Sequence, residues 1–274
     1  MSANSGKQAG PPAVSCVIAT TPWSGSQLLA RALRVTRLAG DPRDYFNPLE
    51  VVPRCQEWGL LGPGVYSLPR VAEADFVAHY LKAVAKAATG RNGVLSINLP
   101  WSHQRWLVRF ARTARPDPPG TVPRSDARVL EEWYPGTRYL YLTCADMAWQ
   151  AARWYLGRSA PAALGGAPEP GRPPDFQEIR WIETLIARQE QAWECYFEVH
   201  GIDAHRIEYE ALAENPEETV RGILGWLEPP GSPPPKWQER LPMARAPETV
   251  DWLPGYLAER NQLSTEIGVR QERG

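Results

Sequence analysis

The chain is poor in the residues that would make it a disulfide scaffold or a metal protein. It has four cysteines in 274 residues (Cys16, Cys55, Cys144 and Cys195), widely spaced and without a C-x-x-C pair. That pattern argues against a disulfide framework or a structural zinc site and fits a reducing, cytoplasmic setting. Of the four histidines, His79, His200 and His205 have no metal-ligand spacing, and no metal is expected. A net charge of −1, from 30 basic and 31 acidic residues, leaves no basic face for nucleic acid. No apolar run approaches the roughly 20 residues that span a bilayer. The first residues, Met-Ser-Ala-Asn-Ser-Gly-Lys, lack an apolar core, so residues 1–12 read as a disordered start and not as a signal peptide.

What the chain does have is 28 prolines, 12 tryptophans and one informative segment, Ser15 to Leu33. Val14, Cys16, Val17 and Ile18 form a short apolar run of the kind found in parallel strands covered on both faces. Leu28, Leu29, Ala32 and Leu33 then recur at helical spacing. Between them Ser24, Gly25 and Ser26 stand where the chain must turn and the first helical N–H groups are unpaired. Such a turn is an anion site: backbone donors converge, and the helix dipole adds roughly half a positive charge. It is not a Walker A loop, because no Gly-Lys-Ser/Thr follows the glycine.

Strand and helix patterns alternate along the rest of the chain. Asn47 to Pro69 is broken by Pro and Gly and predicts no lasting regular structure. Helices are expected over 71–89, 101–114, 128–133 and 147–156, then over a long span after Asp175 with Ile179, Ile182, Ile186, Trp193 and Phe197 on one face, and over 216–227. Strands are expected over 94–99, 138–143 and 206–209. Gly157–Pro174 reads as a flexible loop, Pro229–Pro235 as a rigid linker, and residues 261–274 as a C-terminal tail. The alternation predicts an α/β protein with a parallel sheet, and a chain this long can bury one large core.

Several segments match a known family in collinear order. They are Ala19-Thr-Thr-Pro-Trp-Ser-Gly-Ser-Gln-Leu-Leu29, Leu38-Ala-Gly-Asp-Pro-Arg-Asp-Tyr-Phe46, Asn92-Gly-Val94 with Trp101, Tyr139-Leu-Tyr-Leu142 with Asp146 and Gln150-Ala151, and Tyr209-Glu-Ala-Leu212 with Pro216, Ile223 and Leu227. Together, from about Val14 to Tyr256, they resemble the bacterial trehalose 2-sulfotransferase family. The resemblance implies the sulfotransferase fold, a P-loop-like parallel β-sheet flanked by helices in a single domain (13–260). It implies transfer of a sulfuryl group from 3′-phosphoadenosine 5′-phosphosulfate (PAPS) to a hydroxyl of a small metabolite or natural product. It also implies that the chain could pair as a homodimer.

The same resemblance assigns residues. The donor loop falls on Trp23, Ser24, Gly25, Ser26 and Gln27, with Trp23 standing where the family has arginine and Gln27 where it has threonine. Asn98 stands in the place of a lysine, Cys144 in that of an arginine, and Arg153 in that of a 3′-phosphate serine. The family's catalytic carboxylate falls on Asp44, and a second acidic position on Asp41. Asp41, Asn98, Trp101 and Trp154 are candidates to line the acceptor cavity. His103, just beyond a strand's carboxyl end, is a candidate base if the chemistry is not sulfuryl transfer. Two readings follow: a PAPS-dependent sulfotransferase, or an enzyme on the same fold that no longer uses PAPS and performs acid–base chemistry on an apolar small molecule.

Overall fold

A computed structural model describes residues 12–62, 64–65, 74–159, 174–228 and 250–271. Four strands, β1 (Val14–Thr20), β2 (Val94–Pro100), β3 (Thr137–Thr143) and β4 (His205–Glu208), pair in the order β2-β1-β3-β4. Every pairing is parallel, with Val17 opposite Ile97 on one side and Tyr139 on the other. All side chains of β2, and all but the first of β1, are buried, which explains runs of apolar residues without alternation. The chain leaves β1 toward β2 and returns to β3 on β1's opposite side. That reversal opens a crevice at the strands' carboxyl ends, where such sheets bind ligands.

Successive residues of β1 point to opposite faces and feed two cores. Val17 and Ala19 join Tyr45, Phe46, Tyr80, Phe110, Trp193 and Phe197. That layer carries α2 (Pro48–Glu57), α3 (Ala74–Ala88), α4 (Trp101–Ala114), α5 (Asp126–Trp133) and α7 (Phe176–His200). Cys16 and Ile18 join Leu29, Leu33, Ile223 and Leu227 beneath α1 (Ser26–Thr36), α8 (Tyr209–Glu214) and α9 (Pro216–Leu227). A third cluster joins α6 (Met147–Ser159), α7 and α10 (Leu253–Gln271) through Ala151, Ile182, Ile186 and Tyr256.

Four expectations are corrected. The Asn47–Pro69 stretch contains α2, because Pro48 stands at the first helical position, where no N–H is needed, and Asn47 accepts from the Leu49 amide. The strand expected over 206–209 ends at Glu208, and Tyr209 begins α8. Helix α6 continues past Leu156 to Ser159, and the end of the chain through Gln271 is helical. The N-terminal segment before residue 12, most of the loop expected over 157–174 and the Pro229–Pro235 linker lie outside the described residues. Among the described residues no helix is long and apolar enough to cross a membrane.

Candidate active site

The turn after β1 is built as its composition demands. Gly25 has φ +88°, the left-handed region glycine tolerates best, and caps α1 without any side-chain bond. The amides of Leu28 and Leu29 are bonded to the Gly25 carbonyl; those of Ser26 and Gln27 make no hydrogen bond among the described residues. Ser24 is fully buried in the same turn, and its Oγ has no partner among the described residues. Buried hydroxyls are ordinarily satisfied, so this one is left able to bond a group brought to the turn. Gln150 holds the approach, donating from Nε2 to Thr21 Oγ1 at 2.9 Å and to the Pro22 carbonyl at 2.6 Å. Trp193 ties α7 to the end of β1 by donating to the Thr20 carbonyl at 2.9 Å.

The neighbouring strand connects this turn to an acid–base pair. Asn98 Nδ2 donates to Ser26 Oγ at 3.4 Å, and the Asn98 amide donates to the Arg43 carbonyl at 3.0 Å. Arg43 is thereby pinned beside Ile97, and the next residue, Asp44, reaches the first turn of α4. There Asp44 Oδ2 lies 2.8 Å from His103 Nδ1. An ionised carboxylate only accepts, so Nδ1 carries the proton and Nε2 is left as the proton-accepting atom. Asp44 Oδ1 is buried and without a partner among the described residues. Asp41 faces elsewhere, in ion pairs of 2.9 Å with both Arg34 and Arg43. Trp101 starts α4 with its ring edge-on to Trp193, centroids 4.9 Å apart.

A second turn, after β3, is already filled. The Glu210 carboxylate accepts from the Ala145 amide at 3.1 Å, from the Asp146 amide at 3.3 Å and from the Cys144 thiol at 3.3 Å. Partial burial works against the Glu210 charge, but these donors outweigh it and hold the carboxyl below the usual glutamate range. Burial, reinforced by Glu210, pushes the Cys144 thiol far above its ordinary value, so it is an inert thiol despite its place before a helix. Among the described residues no Lys or Arg is hydrogen-bonded or ion-paired to Glu210 at this turn. Nothing in the sequence reading singled out Glu210; its only signal was the Tyr-Glu-x-Leu pattern.

Arg153 lies instead against aromatic rings. Its guanidinium carbon is 4.9 Å from the Trp149 ring centre and 5.8 Å from that of Trp23. Trp149 stacks on Tyr209 at 5.3 Å, and Tyr209 in turn covers Gly25. Arg153 makes no ion pair with Asp146, which instead accepts from the Trp149 amide. Trp23 is half-exposed, and Gln27 is exposed. Trp154 is not brought to the turn; it packs on the α6–α7–α10 cluster.

Residues 15–257 match the Stf0 sulphotransferase family profile. The chain belongs to that family. It is 26% identical over 250 residues to the trehalose 2-sulfotransferase of Mycolicibacterium smegmatis, covering 83% of this chain and 90% of that protein. It is 25% identical over 268 residues to the trehalose 2-sulfotransferase of Mycobacterium tuberculosis (strain Erdman), covering 90% and 96%. Among solved structures, a sulfotransferase from Alicyclobacillus acidocaldarius superposes with a TM-score of 0.43 at 16% identity, covering 92% of each chain. The sulfotransferase domain of the curacin biosynthetic pathway gives 0.39 at 17% identity, covering 81% of this chain and 76% of that one. Family and sheet agree on a transferase of the sulfotransferase class.

Proposed function

We propose that this sulfotransferase takes its sulfuryl group from PAPS and passes it to a hydroxyl of a small metabolite or natural product. The observation that carries the reading is the hydrogen-bonded Asp44–His103 pair, joined through Asn98 to a turn with unpaired donors. The turn fits the phosphosulfate end of the donor: it offers the Ser26 and Gln27 amides and the orphaned Ser24 hydroxyl. At the turn after β3 the Ala145 and Asp146 amides are already taken by Glu210 and are not free for a 3′-phosphate.

PAPS supplies an activated sulfuryl group and a stable nucleotide leaving group. The acceptor hydroxyl oxygen forms a bond to sulfur as the bond from sulfur to the phosphate oxygen breaks. His103 Nε2 takes the hydroxyl proton, while Asp44 fixes the ring and stabilises the imidazolium that forms. The turn's amides meet the charge that develops on the departing phosphate oxygen. Trp101, partly exposed at the start of α4 and backed by the buried Trp193, gives the strand end an apolar side and favours an acceptor less polar than a sugar.

The test is calorimetry with 3′-phosphoadenosine 5′-phosphate, followed by transfer from labelled PAPS to a panel of hydroxylated metabolites. Micromolar nucleotide binding with label transfer is the expected result. No binding at millimolar nucleotide would sink the PAPS reading and favour an enzyme that has abandoned this donor.

A further inference from the structure

The altered donor loop lacks a cation of its own: Trp23, Ser24, Gly25, Ser26 and Gln27 carry no charge. One cation reaches it from another element. Arg153, in the second turn of α6, is partly buried and makes no ion pair among the described residues. Its guanidinium is bracketed by Trp149 and Trp23, whose ring centres lie 4.9 and 5.8 Å away. Both rings lead back to the turn. Trp23 directly precedes Ser24, and Trp149 stacks on Tyr209, whose ring closes over Gly25. Trp23 itself holds a left-handed backbone, φ +65°, which a bulky residue adopts only under constraint. Its ring lies against Gly157 on α6, where a Cβ would come within 2.0 Å of it.

We propose that Arg153 is the cationic ligand of the oxyanion site at the Ser24–Ser26 turn, delivered from α6 and held in place by Trp23 and Trp149. Three independent features support it. The Ser24 hydroxyl is buried in the turn without a partner among the described residues. An arginine without a carboxylate, partly desolvated between indoles, keeps its N–H fork free for a planar pair of oxygens. Burial raises the Tyr209 phenol above its ordinary value and Arg153 works against that rise, so the arginine's charge is felt at the ring that covers Gly25. The ligand is a phosphoryl or sulfuryl oxyanion. This assignment deepens the donor reading above and changes its geometry: the cation arrives across α6 and not from the loop.

The test uses inorganic pyrophosphate as well as 3′-phosphoadenosine 5′-phosphate, so that the two readings fail separately. The full chain should bind pyrophosphate, and Arg153→Gln should weaken that binding at least tenfold, the size of one charge-assisted bond. Gly157→Ala, which changes no charge but displaces Trp23, should also weaken it. Equal affinity for pyrophosphate in wild type and Arg153→Gln would overturn the assignment, as would a wild type that binds no oxyanion. Pyrophosphate binding that depends on Arg153, without nucleotide binding, would remove PAPS and leave the assignment standing. If Arg153→Gln does not fold, phenylglyoxal labelling of the wild type decides by mass spectrometry. Pyrophosphate should slow modification of Arg153 at least several-fold, and equal labelling with and without it would overturn the proposal.

Discussion

The ring of Tyr209 covers Gly25 so closely that a Cβ added there would lie 2.2 Å from the ring's Cδ2. The residue that opens α8 therefore determines what can stand at the start of α1, more than 180 positions earlier. Contact of this kind makes Gly25 obligatory twice over, by its φ of +88° and by the space it leaves.

Gly25→Ala should therefore disturb the turn more than the fold. The left-handed backbone alone costs an ordinary residue about 1 kcal/mol, and the methyl group must also push Tyr209 away. Pyrophosphate affinity is expected to fall at least tenfold, with a lowered melting temperature and an unchanged far-UV circular dichroism spectrum. A variant that binds pyrophosphate like wild type would mean that Tyr209 swings away freely and does not shape the site.

Asp44 and His103 should behave as one unit. Asp44→Asn removes the carboxylate that orients the ring, and His103→Gln removes the accepting nitrogen. Each is expected to lower kcat at least a hundredfold without altering nucleotide affinity. The double variant should be little worse than either single one, because both losses disable the same proton transfer. Retention of more than about a tenth of wild-type kcat in either single variant would take that residue out of the reaction.

Glu210 links stability to pH with a definite sign. Its carboxyl lies below the ordinary value of 4.5 in the folded chain, so its contribution is complete above that pH. The contribution fades as acid protonates the folded form. Glu210→Ala should cost about 2 kcal/mol at pH 7, the loss of a charge-assisted set of bonds. Paired melts of wild type and variant from pH 7 to pH 3 check this: the gap between them should narrow below about pH 4.5. A gap that widens in acid would assign Glu210 the opposite role.

The turn and the sheet were legible because their causes are local. Buried parallel strands need apolar runs such as Val94–Leu99, and the loop before α1 needs small residues. Helix α2 was not legible, since Pro53 reads as a breaker. It is tolerated on an exposed face of a short helix, where the one hydrogen bond it removes costs least. The Asp44–His103 pair joins residues far apart in sequence. Resemblance suggested one member and strand position the other, but only the parallel register beside β2 brings them together. The Glu210 contacts escaped notice for the same reason, as did the indole clamp on Arg153. Each depends on two elements meeting across a strand end, which no local pattern encodes.

The strand order carries a consequence for the chain as it is being made. Among the described strands β1 precedes both of its partners, β2 and β3, which begin only at Val94 and Thr137. At roughly 5–20 residues per second, β1 must wait several seconds for its first edge and longer for its second. Throughout that interval Cys16, Val17 and Ile18 are an unpaired apolar ribbon, open to any other strand that passes. The turn after β1, proposed above to hold an oxyanion, can take its final shape only after Tyr209 has emerged. A nascent chain arrested before that residue should consequently be chaperone-dependent and unable to hold its ligand.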